Sequence, residues 1–407
     1  MTYRKHTFFI VLLLVLWSLT LSVTAQEAED VQRAGLRPDA PTYAVHGPYS
    51  VGTVEFIVED VVPSLPVTVW YPVQSDDMEE PYTYMLEMPE VPFLGHAILD
   101  ATPEVDGAPY PLVIFSHGAT NTRYGALYLT EHLATYGFVV MAPNHTGDTM
   151  ANMEDEGVFL RSLATRPVDI TRVIDFAETV TATEGVMNNL INIDRVAVIG
   201  HSSGAWTALL AAGAQRDFGA MQAWCAENSD DFWTCGNLLG QEETLAELLE
   251  LDAVPEGLWP SVGDPRVDAI VPLAPGNATA FGSQGLASIS VPALVMIGDH
   301  DMFLPYDSFG PPTYEAISGE PKAFVTFEDG NHMLFSNACA ANPWIVDAGW
   351  YFACSDSVWD MDRAHDLINH FTTAFLLAEL YDDADAAAAL SPDAVTFPGI
   401  TYETTGF

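Results

Sequence analysis

The chain has 407 residues and carries 56 Asp and Glu against 13 Lys and Arg, a net charge of −43. Hydrophobic residues make up 49% and aromatic ones 11%, enough for a large core, which excludes wholesale disorder. A surface this acidic repels phosphate backbones and anionic lipid headgroups, which excludes nucleic acid as a partner.

The N-terminus reads as a secretory signal over residues 1–25. Arg4, Lys5 and His6 give a basic start, Phe8 to Leu21 an apolar run, and Val23-Thr24-Ala25 small residues at the cleavage position. The run is short for a spanning helix, which needs about 20 residues. An exported protein, extracellular or periplasmic, is therefore expected, with no stable membrane span after signal removal; an uncleaved anchor is the alternative. Residues 26–407 are expected to form one domain. In an oxidising compartment Cys225 with Cys235, and Cys339 with Cys354, are expected to close two local disulfides.

After a polar, loose lead-in over residues 26–42, Gly52 to Val58 and Leu65 to Tyr71 look like an opening antiparallel pair of strands. Strand-like and helix-like stretches then alternate. Leu112 to Phe115 is a short buried strand, Tyr124 to Tyr136 a helix, and Phe138 to Met141 a strand. Pro167 is suited to the first turn of the next helix, with Ile170, Val173, Ile174 and Ala177 on one face. Arg195 to Ile199 is a strand that leads straight into Gly200. Residues 215–262 break the rhythm and read as an insertion. Strands follow at Val267 to Leu273, Ala293 to Ile297 and Ala323 to Phe327, then a closing helix near Val358 to Leu380 and a solvated acidic tail from Asp382. Short apolar runs alternating with helices predict an α/β fold, a mostly parallel central sheet with helices on both faces.

The strongest chemical signal is Gly200-His201-Ser202-Ser203-Gly204, between that strand and a helix. In this setting a G-x-S-x-G pentapeptide places its Ser on a strained turn as a nucleophile. A hydroxyl nucleophile needs a base, and the base an orienting acid, here expected in the order Ser, Asp, His. Asp301, in the turn Gly298-Asp299-His300-Asp301, is the candidate acid, with Asp299 as its competitor. His332, after the strand that ends at Phe327, is the candidate base. Two backbone N–H groups are needed for an oxyanion. Ser203 is expected to give one and Ala119, in the loop Ser116-His117-Gly118-Ala119, the other. Tyr124, Trp206, Phe303 and Phe335 are the aromatic candidates for substrate contact. No dinucleotide fingerprint or metal-ligand spacing occurs, so no cofactor is expected.

These motifs resemble the α/β-hydrolases, and within them the predicted dienelactone hydrolase and platelet-activating factor acetylhydrolase group. The resemblance runs from Tyr110 to Gly118, through Leu133 to Pro143 and the Ser202 pentapeptide, to Gly330-Asn331-His332. It implies Ser202, Asp301 and His332 as a catalytic triad, with Ala119 and Ser203 as oxyanion donors. One departure is Leu273-Ala274-Pro275, where the acetylhydrolases place their acid and this chain has no carboxylate. A second is the nucleophile, Cys in true dienelactone hydrolases and Ser here. The expectation is an exported serine carboxylic-ester hydrolase acting on a small-molecule or polymeric ester. A cutinase-like polyester hydrolase is the alternative, and a non-catalytic binding module on the same fold the alternative of another class.

Overall fold

The structure is a computed structural model that describes residues 35–59, 64–74, 80–87, 90–150, 157–229, 231–276 and 278–407. The expected signal at 1–25 lies outside the described residues. Among those described, no helix is long and apolar enough to cross a membrane.

Ten strands form one sheet in the order β12-β11-β10-β9-β8-β6-β7-β2-β1-β5. They are β1 (Ser50–Val58), β2 (Leu65–Val73), β5 (Ile98–Leu99), β6 (Tyr110–Ser116), β7 (Val139–Pro143), β8 (Ile191–His201), β9 (Val267–Leu273), β10 (Ala293–Gly298), β11 (Lys322–Phe327) and β12 (Ile400–Thr405). The hairpin of β3 (Thr83–Glu87) and β4 (Glu90–Leu94) stands apart. Strands β7, β6, β8, β9, β10 and β11 run parallel, whereas β1 with β2, β2 with β7, and β11 with β12 are antiparallel. Every residue of β6, β7 and β10 is buried. Strands covered on both faces read as unbroken apolar runs for this reason.

The helices are α1 (Leu127–Thr135), α2 (Val158–Ala182), α3 (Ser203–Ala211), α4 (Phe218–Glu227), α5 (Glu242–Leu248), α6 (Met361–Tyr381) and α7 (Ala384–Ala389), with shorter turns between them. Helix α1 packs against α6, and α2 against α3. The insertion carries α4 and α5 and is stapled by the Cys225–Cys235 disulfide; Cys339–Cys354 forms as well.

Three sequence expectations change. Pro167 does not open a helix: α2 begins at Val158 and Pro167 lies inside it. Buried Leu160, Leu163 and Ala164 extend the apolar face of Ile170, Val173, Ile174 and Ala177 upstream by two turns, and that burial outweighs the proline. A proline inside a helix leaves the carbonyl four residues earlier without its bond. That carbonyl, Leu163 O, accepts Arg216 Nη2 at 2.8 Å. The acidic tail is not merely solvated. Asp383 caps α7 by accepting from Asp385 N and Ala386 N, and alternation over Ile400–Thr405 forms edge strand β12 against β11. The described part of the lead-in, from residue 35 on, is tied down as well, since Leu36 N and Arg37 N each donate at 2.9 Å to the Asp366 carboxylate on α6.

The charge imbalance leaves few internal ion pairs to offset repulsion. Even Lys322 donates to the backbone carbonyls of Tyr314, Glu315 and Ile317. The Debye length falls from about 30 Å at 0.01 M salt to about 3 Å at 1 M, so screening relieves the folded state. Raising sodium gluconate over that range at neutral pH is expected to raise Tm by several degrees. A flat or falling curve contradicts a repulsion-limited fold.

Candidate active site

The elbow after β8 is shaped by its glycines. A Cβ on Gly200 would strike the Gly204 carbonyl, and one on Gly204 the Ser116 carbonyl. Between them Ser202 adopts φ 57° and ψ −116°, a left-handed strain that non-Gly residues bear mainly at functional positions. Ser202 N donates to Leu273 O at 2.9 Å, tying the turn to the end of β9. Ser203 opens α3, and the first amides of a helix have no intrahelical acceptor.

Two further loops meet this turn. His332, after β11, is buried and its Nδ1 donates to Asp301 Oδ2 at 2.6 Å. Asp301, after β10, accepts Phe303 N and Leu304 N on its other oxygen, both at 2.8 Å. The carboxylate is thereby fixed from both ends. Asn331 joins the two loops, since its Oδ1 accepts both His332 N and Met302 N. Asp299 turns away: its Oδ1 accepts from His300 Nδ1 at 2.8 Å and from Asp329 N at 2.6 Å.

His201 has a task that the sequence did not reveal. Its Nε2 donates to His332 O at 3.1 Å, and the two rings lie 4.7 Å apart. Burial, and secondarily the neighbouring His332, push its pKa well below the usual imidazole range, so it stays neutral beside the candidate base.

The loop after β6 is held from beneath by Arg166 on α2. This buried guanidinium pairs with Asp148 through Nε at 3.0 Å and Nη2 at 2.8 Å. It also donates to His117 O at 2.6 Å and Gly118 O at 3.3 Å, the carbonyls just before Ala119. Asp148 Oδ1 accepts Thr120 N at 3.0 Å, where φ is 60°. Burial works against the Asp148 charge, but Arg166 and the Thr120 amide bring its pKa below the ordinary value. Carbonyls and amide on both sides of Ala119 are thus pinned. The sequence signal for Arg166 was faint, an Arg beside Pro167 with the polar Ser162 and Asp169 on the same face of a helix whose core face is otherwise carried by aliphatic residues.

Arg166→Lys keeps the charge and loses the planar fork. It is expected to lower kcat by about 10- to 100-fold with KM nearly unchanged, because the Ala119 amide it displaces is the candidate oxyanion donor and such donors act in the transition state. Steady-state kinetics beside a circular dichroism spectrum checks this; wild-type kcat in a folded variant contradicts it.

Ser202, Ser203, Ala119 and His332 all border one cavity of about 570 Å³. Its walls are largely apolar: Leu86, Phe93, Phe303, Trp344, Ile345, Trp350 and Phe352. Of the four aromatic candidates only Phe303 lines it. Tyr124 is buried beneath Phe93 and reaches Glu55, Trp206 is buried against Phe281, and Phe335 packs in the core between His201 and Phe327. Trp206 lies a turn along α3 and turns toward the insertion. The residues missed, Trp344, Trp350 and Phe352, belong to or flank the loop closed by Cys339–Cys354. Four aromatic residues between two cysteines, Trp344, Trp350, Tyr351 and Phe352, just after the candidate base, were the available signal.

A model of the alpha/beta hydrolase family matches residues 113–342. Among solved structures, a ferulic acid esterase from Streptomyces cinnamoneus superposes with a TM-score of 0.58 at 20% identity, covering 91% of this chain and 99% of that one. A likeness at that identity bears on the fold.

Proposed function

Since this chain belongs to the alpha/beta hydrolase family, we propose that it is an exported serine carboxylic-ester hydrolase in which Ser202, His332 and Asp301 form the triad. The observation that carries this reading is the 2.6 Å bond from His332 Nδ1 to Asp301 Oδ2, on loops that share one cavity with strained Ser202. In the proposed reaction Ser202 Oγ attacks the ester carbonyl as His332 Nε2 takes its proton. The Ala119 and Ser203 amides hold the oxyanion, and His332 returns the proton to the departing alcohol. Water then attacks the acyl-enzyme by the same route in reverse, releasing the acid. Asp301 holds the imidazole tautomer and stabilises its cation. Export is supported by the two disulfides, which persist in oxidising compartments.

The apolar walls favour an ester with a bulky hydrophobic or aromatic group, a preference compatible with the ferulic acid esterase neighbour. Within the family, the predicted dienelactone hydrolase and acetylhydrolase group remains the proposed placement. A specific observation favours a second reading, the polyester hydrolase. Trp350, Tyr351, Phe352 and Met302 are each about half exposed in and near the disulfide-closed loop, an apolar rim that a small soluble ester does not require. Nitrophenyl esters of rising acyl length, a feruloyl ester and a polyester film, assayed side by side, test both. Turnover that grows with apolar acyl size supports the esterase, and release from the film adds the polymer. No turnover on any of them, together with a Ser202 that a fluorophosphonate leaves unlabelled, leaves only a binding module.

A further inference from the structure

We propose that the interior between α2, α3 and the insertion binds a small monovalent anion, a halide such as chloride, through Arg216, Trp206 and Trp259. Arg216 is 1% exposed, in a chain where carboxylates outnumber cationic side chains about fourfold, yet no ion pair reaches it among the described residues. Its Nη2 donates to Leu163 O, the carbonyl released by Pro167. Among the described residues its Nε and Nη1 are buried without a partner. So are two indole donors, Trp206 Nε1 and Trp259 Nε1.

The three residues form one group. The guanidinium carbon lies 5.7 Å from the centre of the Trp206 ring, and Trp259 N donates to Arg216 O at 2.9 Å. Phe281 stacks on Trp206 at 4.2 Å and Phe218 packs on Trp259 at 4.6 Å, so the surroundings are apolar. Burial alone lowers the Arg216 pKa, to about 10, which leaves it a cation at neutral pH. An unpaired buried charge is among the costliest features a fold can carry.

The orphaned atoms are all donors. A water accepting from these donors still has protons of its own to place, and the four orphaned atoms offer it no acceptor. A halide only accepts. Phosphate and larger carboxylates do not suit a group whose three side chains are at most 1% exposed.

The test separates site binding from general screening. Tm is measured in 1 M NaCl and in 1 M sodium gluconate, for the wild type and for Arg216→Met, which fills the same space without charge. A ligand present at 100 times its Kd stabilises enough to move Tm by about 2 °C or more. The wild type is expected to melt at least that much higher in chloride, and Arg216→Met to show no such difference. An equal chloride increment in both proteins, or none in either, overturns the proposal. Should Arg216→Met fail to fold, anomalous diffraction from wild-type crystals soaked in bromide decides. A peak within hydrogen-bonding distance of the Arg216 guanidinium supports the site, and its absence overturns it.

Discussion

Ser202→Ala is expected to reduce kcat on any ester substrate by on the order of 10⁶ while the protein stays folded. The elbow geometry does not depend on the hydroxyl. It rests on Gly200 and Gly204, whose missing Cβ atoms allow the close approach, and on the bond from Ser202 N to Leu273 O. Alanine bears the strained backbone no worse than serine. What vanishes is the hydroxyl proposed to form the acyl-enzyme. His332→Ala is expected to cost about as much, since in such a constellation base and nucleophile act as a unit. Burst kinetics with a nitrophenyl ester, read beside thermal melting, distinguishes lost chemistry from lost fold. Near wild-type turnover in either variant contradicts the mechanism.

Asp301→Asn is expected to lower kcat by about 10⁴, and Asp299→Asn to leave it within a few-fold. Both carboxylates occupy the same turn after β10, which is why sequence alone left them as competitors. Asp301 Oδ2 accepts from the imidazole, and its Oδ1 is tied by Phe303 N and Leu304 N. An Asn there can present its amide nitrogen to His332 Nδ1, which favours the wrong tautomer. Asp299 instead braces the neighbouring turn through Asp329 N and His300. Its loss is expected to appear in stability rather than turnover. A damaging Asp299→Asn with a mild Asp301→Asn would reassign the acid.

The parts of the fold legible in the sequence are those governed by local rules. Buried strands such as β6 and β10 appear as apolar runs, the elbow as two glycines about a serine, and the disulfides as neighbouring cysteines. What escaped depends on distant partners. Pro167 reads locally as a helix start, and only the apolar face upstream, with Arg216 on the freed Leu163 carbonyl, lets α2 run through it. β12 lies in a short polar segment whose pairing with β11 no neighbouring residue announces. At the site, the positions of Ser202, Asp301 and His332 follow from strand ends, whereas the cavity walls follow from packing. Trp206 and Phe335 are as aromatic as Trp344 and Trp350, and their burial in the core is a tertiary fact. Arg166 and His201 act through backbone carbonyls, contacts that leave no residue pattern.

Covalent labelling by a fluorophosphonate tests the central claim most directly, because the reagent phosphonylates a serine, with loss of fluoride, only where a base and an oxyanion site activate it. Trypsin releases residues 196–216 as one peptide carrying both Ser202 and Ser203. The account predicts one label per chain, located by fragmentation on Ser202, and no label in His332→Ala. A folded wild-type protein that stays unlabelled, or that carries the label on Ser203, would contradict it.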